Sequence, residues 1–549
     1  KNRYFNTTIN NMISINFDET HNLDDVEDVL NIVIGSASNI SLDQTETKKS
    51  FRNLDFMTQK TFNSHHSETQ LMRYLKQLEN KDLSLTTSMI PLGSCTMKLN
   101  AASAMIPLSI PLFANCHPYA PKELHLGYKE IIDTLGKWLC DITDLDDVSF
   151  QPNSGAQGEY AGILAIKNYF NKKNESHRNI ALVPTSAHGT NPASAFMAGL
   201  KIIPIKCDEQ GNIDMNDLKT KVSTYKETLA LLMVTYPSTH GVFEDNIKEI
   251  CELIHANGGQ VYLDGANLNA QVGLTSPGII GADVCHINLH KTFSIPHGGG
   301  GPGMGPICVK KHLSDYLPKF SLDYTNFTHS VSAAEYSSAS ILLISYAYIH
   351  MMGAEGLTKA STYAILHANY IKEKLEPYYP ILFTGSTNKV AHELIIDCKR
   401  FKKEANITVE DIAKRLIDYS FHAPTLSWPV ADTLMIEPTE SESIEECDRF
   451  CDAMIEIYNE IQEIITNKAD KQDNVLKNAP HTQQECINNT WNHVYSREKA
   501  CYPIDYLKQN KFWPSISRVN QAKGDRELIC TCDILNMYDE KVEITTKSN

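Results

Sequence analysis

Five strand-length apolar runs alternate with helical patterns between about residues 145 and 310, and they restrict the possible folds more than anything else in the chain. They cover residues 180–183, 202–205, 229–234, 261–263 and 284–289. Most show no polar alternation, and they often end in Pro, Gly, Asp or His. A strand wetted on one face alternates, whereas a continuous apolar strand is covered on both. The pattern predicts an α/β fold with a mainly parallel central sheet flanked by helices. Right-handed crossovers then carry the loops after the strands to one edge, where ligands bind. Asp264 and Lys291 follow such runs and are expected at that edge.

With 549 residues the chain exceeds one compact core. Residues 1–60, rich in Asn, Asp, Thr and Ser, are expected to be a linker or N-terminal extension. Residues 61–370 form the expected large domain and 371–549 a smaller C-terminal α+β domain. A helical pattern begins near Leu71 and continues through Tyr74, Leu75 and Leu78 into the loop 91–98. Further on, Ser443 and Glu446 suggest a capping box. The stripe Cys447, Phe450, Cys451, Met454, Tyr458 and Ile461 then reads as the core face of a helix.

The formal net charge of −16 argues against nucleic-acid binding, which depends on clustered Lys and Arg. No apolar run is long enough for a membrane helix, so no membrane partner is expected. The 14 cysteines are scattered without a CxxC pair, which predicts reduced thiols and no metal site. Cys530 and Cys532 are expected to be ordinary thiols. The chain opens on Lys1, followed by polar sequence, which suggests a fragment with N-terminal sequence missing.

Four signals fall in order along the putative sheet. Ser154, Gly155 and Ala156 open a helical stretch, and small residues at a helix N-terminus make a phosphate cup. They lack the Gly-Lys-Ser/Thr ending of a nucleotide P-loop. His188, after the run 180–183, could stack on an aromatic ring; taken alone it reads as a hydrogen-bonded loop histidine. Asp264, followed by Gly265, Ala266 and Asn267, puts a carboxylate in the crevice with room for a flat ring. The plainer reading is a turn cap. Lys291, between His290 and Thr292, comes 27 residues after Asp264, about one βαβ step. Burial at a strand end eases deprotonation of its amine. Gly298, Gly300 and Gly303 fit a GxGxxG spacing only by accident, because Pro302 and Pro306 forbid the helix that a dinucleotide site needs.

Each signal is modest alone. Together they supply what pyridoxal 5′-phosphate (PLP) requires: a phosphate cup, a ring-stacking group, an Asp for the ring nitrogen and a Lys for a covalent imine.

The runs 62–100 (FNSHHSETQLMRYLKQLENKDLSLTTSMIPLGSCTMKLN), 150–160 (FQPNSGAQGEY), 186–194 (SAHGTNPAS), 236–244 (YPSTHGVFE), 262–305, 421–442 (FHAPTLSWPVADTLMIEPTESE) and 511–532 closely resemble the glycine decarboxylases. These are fold-type-I PLP enzymes, the P-proteins of the glycine cleavage system. The resemblance is to the C-terminal half of the single-chain form, in which a lysine-less half precedes this one. It implies decarboxylation of glycine, with transfer of the aminomethyl group to the lipoyl arm of an H-protein. It further implies a homodimer of the longer chain. PLP would be covalent at Lys291, with His188 and Asp264 as catalytic partners. Ser154, Gly155 and Ala156 would cradle the phosphate, Ala266 would pack on the ring, and Asn267, His290 and Thr292 would lie nearby. The loop 298–303 is expected to line a lipoyl channel. Asp432 stands where the family pattern is expected to carry Gly. The compartment implied is the mitochondrial matrix in a eukaryote and the cytoplasm in a bacterium. The residues alone also allow another fold-type-I enzyme, an aminotransferase or simple amino-acid decarboxylase, or a non-catalytic subunit.

Overall fold

The computed structural model describes residues 6–9, 12–35, 52, 54–297, 303–320 and 329–526. They belong to two compact units, residues 1–75 and 76–549. In the first, an antiparallel hairpin (Asn6–Ile9 with Met12–Ser14) precedes a helix over Leu23–Ile34. The stretch expected to be a linker therefore carries a helix, and its local signals explain why. Asn22 and Asp25 each accept the other's backbone N–H, and Gly35 closes the last turn at φ 81°. None of this helix is buried.

In the second unit seven strands form one sheet. They are β1 (Asp147–Ser149), β2 (Ile180–Pro184), β3 (Lys201–Ile205), β4 (Leu229–Thr235), β5 (Gln260–Gly265), β6 (Val284–Ile287) and β7 (Ile307–Val309). Their order is β1-β7-β6-β5-β4-β2-β3. Only β7 runs against its neighbours; the pairings from β6 through β3 are parallel. All five apolar runs are strands of this sheet. β6 ends at Ile287, earlier than its apolar run, because the chain turns there. Lys291 N–H donates to Asn288 O at 3.0 Å, and Leu289 N–H crosses to Met304 O at 3.2 Å.

The helices α1 (Leu126–Thr143), α2 (Gly155–Lys172), α3 (Thr190–Met197), α4 (Met215–Tyr225) and α5 (Ile247–Ala256) cover the sheet. Leu182, Leu232, Leu263 and Ile287 pack with Leu135 of α1, Leu218 of α4 and Ile250 of α5. Their neighbours Ala181, Met233, Tyr262 and Val284 enter a different core with Ile163 of α2 and Ala195 of α3. Both faces being apolar accounts for the missing alternation, at roughly 1.5–3 kcal/mol per fully buried large side chain.

A long helix α6 (Ala339–Leu375), broken at Gly353 (φ 61°), leads to a further core. There β8 (Leu394–Asp397), β9 (Thr425–Leu426) and β10 (Thr433–Ile436) form an antiparallel sheet in the order β8-β10-β9. Helices α7 (Val409–Asp418) and α8 (Ile444–Ile465) pack on it. The Ser443 side chain accepts Glu446 N–H at 3.2 Å, but the reciprocal bond of a capping box is not made. The Glu446 carboxylate instead takes Arg449 and Met89 N–H. Leu92 bridges to Ile436, laying the loop 91–98 along β10. A Cβ at Gly93 would collide with Met435, so only glycine fits there. No helix among the described residues is long and apolar enough to cross a membrane.

Candidate active site

A cavity of about 230 Å³ opens where β5, the turn after β6 and the start of α2 meet the residues that lead into β8. Lys291, half-buried, lies on its wall with Asp264, which stands opposite His286 in the β5–β6 register. The Asp264 carboxylate accepts Asn191 Nδ2 at 2.9 Å and Ala266 N–H at 3.0 Å, and His286 Nε2 lies 3.5 Å away. Tyr262 OH, 2.5 Å from His286 Nδ1, orients that ring. Burial alone would raise the Asp264 carboxyl. His286, Asn191, Ala266 N–H and Lys291 outweigh it, and the group lies below the usual carboxylate range.

A second carboxyl stands close by. Glu159 accepts Thr190 Oγ1 at 2.7 Å, Ser194 Oγ at 2.8 Å and the same Asn191 amide at 3.2 Å. Burial, reinforced by the Asp264 charge, raises it. The two neighbours are thus pushed in opposite directions.

Gly155 and Ala156 line the cavity at the start of α2, where first-turn N–H groups have no intrahelical partner. Ser154 caps the helix, its side chain accepting Gln157 N–H at 3.2 Å. A Cβ on Gly155 would come within 2.7 Å of Asn288 Oδ1. The buried Asn288 Oδ1 and Thr235 Oγ1, both of residues on the cavity wall, have no hydrogen-bond partner. A helix N-terminus with small residues, unsatisfied polar atoms beside it and a charged carboxylate across the cavity fit a phosphorylated pyridine.

The far wall comes from the loop 91–98 and the smaller sheet. Ser94 (φ 61°) and Thr96 (φ 57°) are left-handed non-glycine residues, costing roughly 1–2 kcal/mol each. Buried carboxyls hold both in place: Ser94 N–H donates to Glu393 at 2.7 Å, and Thr96 N–H and Oγ1 donate to Glu437 at 3.0 and 2.7 Å. Carboxylate oxygens of Glu393 and Glu437 and a ring nitrogen of His392 lie within 4.8 Å of one another. Burial, then the Glu437 charge, pushes Glu393 up to about 8; burial also raises Glu437.

Of the residues expected from sequence, Gly155, Ala156, His188, Asp264, Ala266, Asn267 and Lys291 line this one cavity. His188 is exposed, its Nδ1 2.8 Å from Thr190 Oγ1 and its ring edge-on to Trp428. Asn267 reaches Thr96 and, at 3.0 Å, Glu437, joining the two walls. Ser154, His290 and Thr292 do not line the cavity. The Thr292 hydroxyl accepts Leu268 N–H at 2.9 Å, and the His290 ring meets His297 edge-on. Residues 298–302, Cys530 and Cys532 lie outside the described residues. Sequence reasoning did not single out Glu159, Asn191, His286, His392, Glu393, Trp428 or Glu437. Glu393 and Glu437 flank short apolar strands, a signal that becomes informative only once those strands are paired.

The fold, a mainly parallel sheet flanked by helices with a smaller sheet domain after it, is shared with solved structures. A crystal structure of glycine decarboxylase (P-protein) of the glycine cleavage system in inhibitor-bound form superposes with TM-score 0.63 at 16% identity, covering 81% of this chain and all of that one. A Burkholderia pseudomallei sphingosine-1-phosphate lyase gives 0.57 at 11% identity, over 77% of this chain and 95% of that one. A family model described as "Glycine cleavage system P-protein" matches residues 20–320, and one described as "Glycine dehydrogenase, C-terminal domain" matches residues 360–481. The chain belongs to the glycine cleavage system P-protein family. It is 55% identical over 541 residues to the glycine dehydrogenase (decarboxylating) of Psychromonas ingrahamii, covering 96% of this chain and 56% of that protein. The Nostoc punctiforme protein of the same name is 54% identical over 545 residues, with the same coverage of each. The chain spans about half the length of the curated relatives it matches.

Proposed function

We propose that this chain is the cofactor-bearing half of a glycine decarboxylase, with PLP bound at Lys291. Together with a lipoylated H-protein it would release CO2 from glycine and pass the aminomethyl group to the lipoyl arm. The observation that carries this reading is Asp264, a buried carboxylate kept charged by Asn191, Ala266 N–H and His286 on the wall that also presents Lys291. When bound, PLP supplies an electron sink next to the substrate's Cα. Asp264 would hold a proton on the ring nitrogen, and Lys291 would anchor the group and give way to the substrate amine. The N–H groups of Gly155 and Ala156, with the Ser154 cap, would take the phosphate. Ala266 leaves room for the ring and His188 would cover it, while His290 and Thr292 would hold the Lys291 turn in place.

Residues 61–370 would form the cofactor-holding domain and 371–549 the smaller one, a division favoured by the separate core around β8–β10. A lysine-less companion half of the same longer chain would complete the site, and the longer chain would pair as a homodimer. The apolar side chains of Ile106, Leu112, Leu124 and Leu126, more than half exposed, suit such a covering surface. The loop 298–303 would face the lipoyl arm. The compartment follows the source: mitochondrial matrix in a eukaryote, cytoplasm in a bacterium, and the two relatives named above are bacterial.

The test is carboxyl exchange between labelled bicarbonate and glycine. The chain combined with its companion half and lipoylated H-protein should exchange, and the chain alone should exchange slowly or not at all. A keto acid as product would point to an aminotransferase, and free methylamine without H-protein dependence to a simple decarboxylase. Either would overturn the assignment.

A further inference from the structure

Among the described residues of the cavity wall, His392 is left with no partner for its chemistry. The side chain is 3% exposed, and neither ring nitrogen has a hydrogen-bond partner. A buried polar group left unmatched costs roughly 1–3 kcal/mol, so a partner from outside the chain is expected there. Burial, then the Lys291 charge, depresses the ring to about 3, so it faces the cavity as a neutral imidazole with one N–H to give. Its neighbour Glu393 keeps its proton at neutral pH and adds no repelling charge. No arginine lines the cavity among the described residues.

We propose that His392 takes the carboxylate of the amino-acid substrate, as a neutral hydrogen-bond donor. The assignment deepens the glycine-decarboxylase reading and rests on it. Glycine has no side chain, so the carboxylate is the handle left once Lys291 has given way to the amine. Decarboxylation breaks the bond from Cα to the carboxylate, the electron pair staying with Cα while uncharged CO2 leaves. A guanidinium would stabilise the carboxylate's charge, and that stabilisation would be lost on the way to CO2. A neutral donor orients the same group while favouring the ground state less.

Cofactor absorbance provides a readout independent of turnover. The full-length protein carrying its cofactor is titrated with glycine and with methylamine, which has the same amine and no carboxylate. His392→Ala should weaken glycine binding ~10–100-fold, the worth of a hydrogen bond to a charged group, and leave methylamine within about twofold. His392→Gln, which keeps an N–H donor, should recover part of the loss. Equal weakening of both ligands, or of neither, overturns the assignment. Should the alanine variant not fold, the nitrogen-15 signals of His392 in the wild-type protein should move with glycine and stay put with methylamine; movement with both overturns it. A wild-type protein without cofactor absorbance removes the underlying reading and this assignment with it.

Discussion

Asp264 on one wall of the cavity and Glu393 on the other are shifted in opposite directions. On the sheet side, Asp264 is matched by an amide, a backbone N–H and an imidazole, and stays charged although buried. On the loop side, Glu393 meets Ser94 and a second carboxyl, Glu437, beside a neutral histidine, and rises to about 8. Burial is common to both, so the partners decide the sign. The contrast suits the proposed site, in which an anion would stand beside the pyridine nitrogen and a protonated Glu393 beside His392 and the substrate carboxylate.

Asp264→Asn removes the charged wall and should have the largest effect. The cofactor should still bind through Lys291 and the start of α2, but decarboxylation should fall about a thousandfold. That corresponds to roughly 4 kcal/mol of lost transition-state stabilisation, by analogy with loss of a preorganised donor. Near-normal turnover with bound cofactor would reduce Asp264 to a turn cap and erase the contrast.

Glu393→Gln removes the titrating acid on the loop side. Because the folded carboxyl keeps its proton up to about 8 while the unfolded chain releases it in the ordinary Glu range, the folded state binds more protons in that window. Stability must therefore fall as pH rises from ~5 to about 8, by at most ~1.4 kcal/mol per pH unit from this group. Denaturant melts across that range should show the decline in wild type and a flatter profile in Glu393→Gln. Identical slopes would mean that Glu393 is ionised throughout.

The smallest effect concerns the edge of the smaller sheet. Asp432 sits at φ 60°, just before β10, with its N–H 3.2 Å from Ser427 Oγ. That conformation gives a physical reason for the glycine expected there, because a Cβ is strained in the left-handed region. Asp432→Gly should change the unfolding free energy by no more than about 1 kcal/mol, towards greater stability, with the cofactor site unaltered. A loss of several kcal/mol on thermal or urea unfolding would show that the Asp side chain anchors the turn.

The same two walls differ in how far the sequence alone revealed them. On the sheet side the legible residues are those with local signals (apolar runs, the residues that end them and small residues opening a helix), while Glu159, Asn191 and His286 carry no such signal. Asp264, Lys291, Gly155 and Ala156 accordingly fall on one cavity. The loop side is made by pairings distant along the chain, Ser94 with Glu393 and Thr96 with Glu437, which no window of sequence displays. The reversed strand β7 was missed for a related reason: its three residues follow glycines and carry no helix to announce a crossover. Ser443 shows the limit of a local motif, since it caps its helix while Glu446 is drawn away by Arg449.

Borohydride reduction of the loaded full-length protein, followed by peptide mapping, shows whether Lys291 carries the cofactor. The reduced pyridoxyl group should map to Lys291 alone, and Lys291→Ala should lose the reducible bond and its absorbance while keeping wild-type secondary structure by circular dichroism. An adduct on any other lysine, or an undiminished adduct in Lys291→Ala, would contradict the account.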